Sequence, residues 1–224
     1  ILLSTYFLLL IVYETSQKSF EFKIFLTIYT IFCLYMFMFG WGVRTILLSF
    51  SLFHILNYLS KKNFKNPFSN FLIIFFTIIF LTLVLLKFNI IFIENIDLLA
   101  SGRLSMYDEK FSLIRNFTIT EFSFGKGFGS DLIFTEVWWW DSKGSHNDFI
   151  TIFFENGILF FILFVITLNN IYKLLENDLL KIIFLVMIAT SLLSVGFMAR
   201  PMPSYLMVLV FLISTNYKKI NGND

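Results

Sequence analysis

The stretch from Asn70 to Leu86 reads NFLIIFFTIIFLTLVLL and contains no charged residue. As a helix, its 17 residues rise about 26 Å, close to the roughly 30 Å hydrocarbon core of a bilayer. Six other apolar runs lie along the chain, at 1–13, 24–39, 45–59, 149–168, 180–197 and 204–215. The pattern predicts an all-α, polytopic integral membrane protein, with about seven transmembrane helices in a single membrane domain over residues 1–224.

The run at residues 1–13 is too short for a complete span, because thirteen helical residues rise only about 20 Å. It opens on Ile1 and has neither the basic start nor the cleavage site of a signal peptide. We expect it to be the tail of a longer helix in an N-terminally truncated chain, with further helices upstream.

Composition excludes several classes of protein. Of the 224 residues, 58% are hydrophobic, 20% are aromatic and only 14% are charged, whereas soluble domains are about 25% charged. A soluble enzyme and a disordered chain are therefore not expected. The net charge of +2 gives no basic surface for nucleic acid. One cysteine, Cys33, excludes a disulfide framework, and two histidines leave little for a zinc site.

A loop of about 60 residues, at 87–145, separates the fourth and fifth runs. The basic residues of the short loops on one side of the predicted membrane are all lysines, and those on the other side are Arg44 and Arg200. The nine lysines are Lys18, Lys23, Lys61, Lys62, Lys65, Lys173, Lys181, Lys218 and Lys219. By the positive-inside rule, the C-terminus is cytoplasmic and the large loop faces the periplasm or the cell exterior.

All four arginines, Arg44, Arg103, Arg115 and Arg200, fall on the outer side, against that bias. The planar guanidinium suits phosphate oxygens, so these residues are candidates for binding a phosphorylated ligand. The alternative is that they anchor the protein at the interface or pair with loop carboxylates. Arg44 stands out because a five-residue turn holds it where two predicted helices meet the membrane surface.

The large loop begins with an amphipathic run from Leu104 to about Thr120. Apolar residues recur at helical spacing, so we expect this helix to lie along the membrane surface with Leu104, Tyr107, Phe111 and Ile114 on its apolar face. Ser101 is positioned to cap it. Arg103 then falls in the first turn, where the helix dipole disfavours a cation, which indicates an anionic partner or another role.

Two further loop segments carry distinctive residues. The run Gly125-Lys126-Gly127-Phe128-Gly129 resembles a phosphate-binding loop only superficially, because Gly127 stands where that motif has Ser or Thr. It predicts a tight turn that brings backbone N–H groups near a ligand or another helix. Trp138-Trp139-Trp140 predicts an anchor at the membrane interface, with stacking on a sugar as the alternative.

His146 is the histidine predicted to lie outside the bilayer, and it is the candidate general base. The alternative is a loop histidine without a role. Asn147 and Asp148 follow it at the start of the fifth helix, and Glu155 lies about two turns further on, within the membrane, where it needs a partner. His54, in the third run, is expected to pack or to hydrogen-bond between helices.

The order of these features resembles the O-antigen ligase and polymerase family of bacterial membrane glycosyltransferases. The matching pieces span about residues 40–160, and they are Gly42-Val43-Arg44, Ser101-Gly102-Arg103, Gly125-Lys126-Gly127-Phe128-Gly129 and His146-Asn147 through Gly157. The chain departs from the family at Val43, where members often have Ser.

This resemblance implies a metal-independent transferase without a cofactor, in which Arg44 and Arg103 bind the pyrophosphate of a polyprenyl-linked oligosaccharide and His146 is catalytic. A metal-dependent enzyme would need a pair of carboxylates such as Asp-x-Asp in the outer loop. The loop has no such pair, and Glu94 and Asp97 are a poor substitute because they are three residues apart. Four more residues are candidate substrate contacts, namely Arg115, Arg200, Asn147 and Glu155.

The expected function is a polymerase of O-antigen or capsule type in the bacterial inner membrane. With a lipid A core as acceptor the enzyme would be a ligase, and with a protein side chain it would be an oligosaccharyltransferase. A flippase for lipid-linked polysaccharide is the alternative of another class. A flippase would need charged residues along several spans, and the spans of this chain are nearly uncharged.

Overall fold

The structure is a computed structural model, and it describes residues 2–15, 20–39, 44–62, 66–87, 102–134, 140–193, 205–206, 208–210 and 212. Within this part of the chain the protein is all-helical, and the predicted fold class is confirmed to that extent. The described residues form no strand; Ile133 and Lys143 make one isolated antiparallel bridge.

Eight helices have defined bounds in the described residues: α1 Leu2–Thr15, α2 Phe20–Phe39, α3 Arg44–Lys61, α4 Pro67–Lys87, α5 Arg103–Arg115, α6 Ile119–Phe124, α7 Asp148–Leu174 and α8 Asp178–Leu193. Residues 205–206, 208–210 and 212 are also helical. Several of them extend beyond the apolar runs. For example, α2 begins four residues before its run, at Phe20, because Glu21 and Lys23 are good helix formers although they are polar. Half of the run at 204–215 and the end of the run at 180–197 lie outside the described residues.

The chain divides into two compact units, each described by itself. The first unit comprises Ile1–Pro67 and Leu174–Asp224, and the second is Phe68–Lys173. In the first unit, α1 packs on α2 and α3 packs on α8. His54 lies among aromatic rings there, with its ring centroid 4.4 Å from that of Phe50 and its Nε2 atom 3.4 Å from the Tyr6 hydroxyl. It is a packing residue, as the sequence predicted.

Among the described residues, α4 and α7 are long and apolar enough to cross a membrane. In the most apolar 18 residues of each helix, only 11% and 17% of positions are buried. Most of their side chains are therefore exposed or half-buried, although Ile152 and Phe154 of α7 are buried. Two other apolar helical stretches among the described residues, Ser4–Tyr13 and Lys23–Cys33, are shorter than a membrane span. The count of seven transmembrane helices therefore stays a prediction.

Helix α7 is interrupted at Gly157, whose φ of 74° and ψ of −178° are not helical. The break leaves carbonyl groups at the end of segment 148–156 available to other donors. The Phe154 carbonyl accepts a hydrogen bond from the Lys126 N–H at 3.0 Å, and the Glu155 carbonyl accepts one from the Gly127 N–H at 2.9 Å. The glycine turn, residues 125–129, thus caps the first segment of α7, and the sequence had predicted an unbroken helix here.

Close backbone approach explains the glycines at both sides of this contact. A Cβ atom on Gly125 would lie 2.2 Å from the Glu155 carbonyl carbon, and one on Gly157 would lie 2.4 Å from the Ser123 carbonyl oxygen. Both residues also have positive φ. The prediction that the turn brings backbone N–H groups to another helix is confirmed.

We expect Gly157→Ala to lower the free energy of unfolding by about 3 kcal/mol, because the new Cβ atom adds a clash to an unfavourable φ. Gly127→Ala is the matched control, since Gly127 has a φ of 94° but no atom within 4 Å of the added Cβ. It should cost about 1–2 kcal/mol from backbone strain alone. Unfolding of the detergent-solubilised variants measures both, and equal losses would contradict the interlocked packing.

Candidate functional site

Helix α5 begins at Arg103, so this cation occupies the first turn as the sequence predicted. The cap is Gly102 and not Ser101; its φ is 74°, and it supplies no side-chain hydrogen bond. The helix ends at Arg115 and does not continue to Thr120. It stops because a separate helix, α6, starts with a capping box in which Thr118 and Glu121 each bind the other's backbone N–H.

The face that α5 buries differs from its most apolar face. Met106 and Lys110 are fully buried, whereas Leu104 and Phe111 are exposed. Tyr107, also predicted on the apolar face, is half-buried. The exposed Leu104 and Phe111 agree with the predicted position of α5 along a membrane surface. The buried Lys110, however, determines which face of the helix packs within the second unit.

The Lys110 ammonium pairs with the Asp131 carboxylate, with Nζ 2.6 Å from Oδ1. The side chains are 0% and 3% exposed. Lys110 also donates to the backbone carbonyls of Asp131 at 2.5 Å and of Lys143 at 3.4 Å. Burial lowers the pKa of Lys110 below its usual value, and the negative charges of Asp131 and Glu155 act in the opposite direction.

Asp131 accepts three further hydrogen bonds. Its Oδ2 atom accepts from the Ser145 N–H and from the Thr151 hydroxyl, both at 2.7 Å, and its Oδ1 atom accepts from the Ser145 hydroxyl. One carboxylate therefore joins α5, the segment before α7 and the first turn of α7. Sequence reasoning missed Lys110, Ser145 and Thr151, and it did not distinguish Asp131 from the other loop carboxylates.

His146 has a φ of 49°, in the left-handed region that few residues other than glycine occupy. The residues on both sides are fixed. Ser145 is bound to Asp131, and the Asn147 Oδ1 atom accepts from the N–H groups of Phe149 at 3.0 Å and Ile150 at 3.2 Å. Asn147 thereby caps α7. The backbone of His146, whose side chain is half-buried, is thus held in an unusual conformation by its surroundings.

Tyr107 connects this histidine segment to Arg103. Burial raises the pKa of Tyr107, while the positive charge of Arg103 and a hydrogen bond with the Asn147 side chain act to lower it. The structure therefore brings Arg103, Tyr107 and Asn147 into one neighbourhood, with His146 next in the chain. This is the candidate functional site. Three of its members were predicted from the sequence, Arg103 as a phosphate-binding residue, His146 as a base and Asn147 as a substrate contact.

The remaining candidate residues lie elsewhere or have structural partners. The Glu155 Oε1 atom accepts a hydrogen bond from the Gly129 N–H at 2.9 Å, which supplies the partner that the sequence required. Arg115 is exposed at the end of α5. Arg44 is the first residue of α3, in the first unit, but the structure does not describe its side chain. Arg200, Trp138 and Trp139 lie outside the described residues.

Across the described ranges, no three His, Cys, Asp or Glu side chains are grouped so that they could hold a metal ion. Comparison of the chain with family models, with curated proteins and with solved structures finds no match. The resemblance to the O-antigen ligase and polymerase family therefore rests on the sequence motifs and stays a prediction.

We expect Lys110→Met to destabilise the protein by about 3–5 kcal/mol, because it leaves the Asp131 carboxylate buried without its cation. Lys143→Met is the matched control, since it breaks an exposed ion pair with Asp141 whose atoms are 2.7 Å apart. The control should cost less than about 1 kcal/mol. Thermal unfolding of the purified variants compares the two losses, and a Lys110→Met protein as stable as the control would refute the role of this ion pair.

Proposed function

We propose that the protein is a bacterial inner-membrane glycosyltransferase that transfers a glycan from polyprenyl pyrophosphate to an acceptor hydroxyl, with inversion and without a metal. The observation that carries the proposal is the candidate site itself. Arg103 and a backbone-constrained His146 lie in one folded unit, connected through Tyr107 and Asn147. An anion-binding cation and a base are the two groups that this reaction needs.

A membrane location is supported by the exposed apolar surface of α4 and α7. Residues such as Ile78, Phe80, Leu163 and Ile166 are exposed along these helices. Each would cost about 1.5–3 kcal/mol if it were left in water instead of an apolar environment. A bilayer removes that cost, and the lysine distribution then directs the C-terminus to the cytoplasm and residues 87–145 to the periplasm.

Arg103 is suited to bind the donor pyrophosphate. It is the first residue of α5, and the first-turn N–H groups of a helix attract anions. The guanidinium can hold two phosphate oxygens at once and can stabilise the charge that develops on the leaving group. By the family resemblance Arg44 would be a second pyrophosphate ligand, and Arg115, Arg200 and Glu155 remain candidates for other substrate contacts.

His146 would act as the general base. Its imidazole accepts the proton of the acceptor hydroxyl while the oxygen attacks the sugar C1 atom from the face opposite the pyrophosphate. The bond from C1 to the phosphate oxygen breaks, and polyprenyl pyrophosphate departs with the electron pair. Asn147 would serve as a positioning residue, because its side chain binds both the start of α7 and Tyr107.

The acceptor distinguishes the variants of this function. A second lipid-linked repeat unit would make the protein a polymerase, which we favour on the abundance of such enzymes. A lipid A core would make it a ligase, and a protein side chain would make it an oligosaccharyltransferase. The flippase alternative is less favoured because the polar residues of the second unit gather at α5 and the start of α7 and not along the apolar spans.

We expect His146→Ala to reduce glycan transfer by about 10²–10⁴-fold, the usual contribution of a general base, while the protein still enters membranes and folds. Ser112→Ala, at an exposed position on α5, is the matched control and should retain wild-type activity. The assay supplies the full-length protein in liposomes with a polyprenyl-pyrophosphate-linked oligosaccharide and sizes the products. Normal transfer by His146→Ala would exclude it as the base.

Arg103→Lys should weaken donor use at least tenfold although the charge is kept, because lysine cannot make the paired contact of a guanidinium. The same liposome assay, run over a range of donor concentrations, measures this change. A donor concentration dependence equal to that of the wild type would contradict the pyrophosphate contact.

A further inference from the structure

The segment that carries His146 connects two fixed parts of the second unit. Before it, Lys143 exchanges two backbone hydrogen bonds with Ile133, at 2.9 and 3.3 Å. After it, the Phe149 ring packs on Phe164 with ring centroids 5.6 Å apart, because α7 folds back on itself at its break. The few residues between these two anchors form a short bridge, and the conformation of His146 depends on what holds that bridge.

The Asp131 carboxylate binds the chain on both sides of His146. Its Oδ2 atom accepts hydrogen bonds from the Ser145 N–H, just before the histidine, and from the Thr151 hydroxyl, in the first turn of α7, each at 2.7 Å. Its Oδ1 atom lies 2.6 Å from the Lys110 ammonium, so the carboxylate is held in one orientation. A single oxygen atom thus joins the two ends of the turn that contains His146.

Gly144 allows the carboxylate to come this close. A Cβ atom at this position would lie 3.1 Å from the Asp131 Oδ2 atom, which is tighter than ordinary van der Waals contact. Gly144 is not among the glycines with positive φ, so the close approach and not the backbone conformation accounts for a glycine here. A side chain at Gly144 would displace the same oxygen that Ser145 and Thr151 bind.

The φ of 49° at His146 gives these hydrogen bonds a conformation to maintain. Residues with a side chain are disfavoured in the left-handed region, and they stay there only where their surroundings hold them. Such a hold matters for a base, because a displacement of about 1 Å at a reacting group can lower a rate about 100-fold. Groups that lock a functional side chain in this way need not touch the substrate.

We propose that Asp131 is a positioning residue for His146, which acts through Ser145 and Thr151 and directs the imidazole toward the acceptor hydroxyl. This inference rests on the role of base proposed above for His146. The backbone geometry of His146 can nevertheless be measured without any assay of transfer, so the two ideas can fail separately.

Four variants isolate the contribution of the carboxylate. Thr151→Val removes one of the two bonds to Oδ2 and changes no charge, and Thr151→Ser keeps the hydroxyl. Gly144→Ala displaces the same oxygen from another side. Thr167→Val is the matched control, since Thr167 is an exposed residue of the same helix whose hydroxyl donates to the Leu163 carbonyl at 2.8 Å.

The first measurement is the carbon-13 NMR spectrum of labelled histidine in the full chain, placed in nanodiscs. The protein has two histidines, and the His146→Ala variant identifies their signals. The His146 Cα and Cβ signals, which depend on φ and ψ, should shift or broaden in Thr151→Val and Gly144→Ala. They should match the wild type in the other two variants. Unchanged His146 signals in both Thr151→Val and Gly144→Ala would overturn the positioning role.

The second measurement is transfer in liposomes from a polyprenyl-pyrophosphate-linked oligosaccharide. Thr151→Val should lower kcat about tenfold and leave the KM for the donor unchanged, because the misplaced group is the base. Thr151→Ser and Thr167→Val should keep wild-type rates. In a His146→Ala background Thr151→Val should have no further effect, since it acts through the imidazole.

The outcomes separate this inference from the proposed function. An equal loss from Thr151→Val with and without His146 would overturn the positioning role and leave the base in place. Normal transfer by His146→Ala would overturn the base and the positioning role together.

Discussion

The arrangement of the second unit depends on one buried ion pair, between Lys110 and Asp131. Removing two charges from water costs several kcal/mol each, and such a pair is tolerated only where hydrogen bonds satisfy the remaining oxygens and protons. That requirement brings Ser145 and Thr151 to the Asp131 carboxylate and the Lys143 carbonyl to the ammonium. Segments far apart in the chain are therefore held together by the chemistry of two side chains and not by apolar burial alone.

The same pair fixes the rotation of α5 about its axis. Arg103, Tyr107 and Lys110 follow one another at spacings of four and three residues, so they share one face of the helix. Because Lys110 must point into the second unit, Tyr107 and Arg103 are directed to the same side, where Tyr107 meets Asn147. The left-handed backbone of His146 is maintained between two residues that this network and the helix cap hold in place. Burial of the Lys110 charge thus determines the side of the second unit to which Arg103 and Tyr107 are directed.

The sequence predicted those features that depend on local pattern. Helices followed from apolar runs, because a run long enough to cross a membrane has few other stable structures. The glycine turn followed from closely spaced glycines. The first-turn position of Arg103 followed from a helix start predicted at Ser101, one residue before the observed cap at Gly102. The Thr118-x-x-Glu121 capping box was readable in the same way and was missed, so α5 was predicted several residues too long.

Other features depend on partners distant in sequence. Lys110 and Asp131 are 21 residues apart, and nothing local selects this pair among six basic and eight acidic residues of the loop. The break at Gly157 could not be predicted either, because an isolated glycine in an apolar run is compatible with a continuous helix. Only its contact with Ser123, Phe124 and Gly125 shows why a side chain is excluded there. The left-handed conformation of His146 likewise arises from its fixed neighbours and leaves no trace in the residue type.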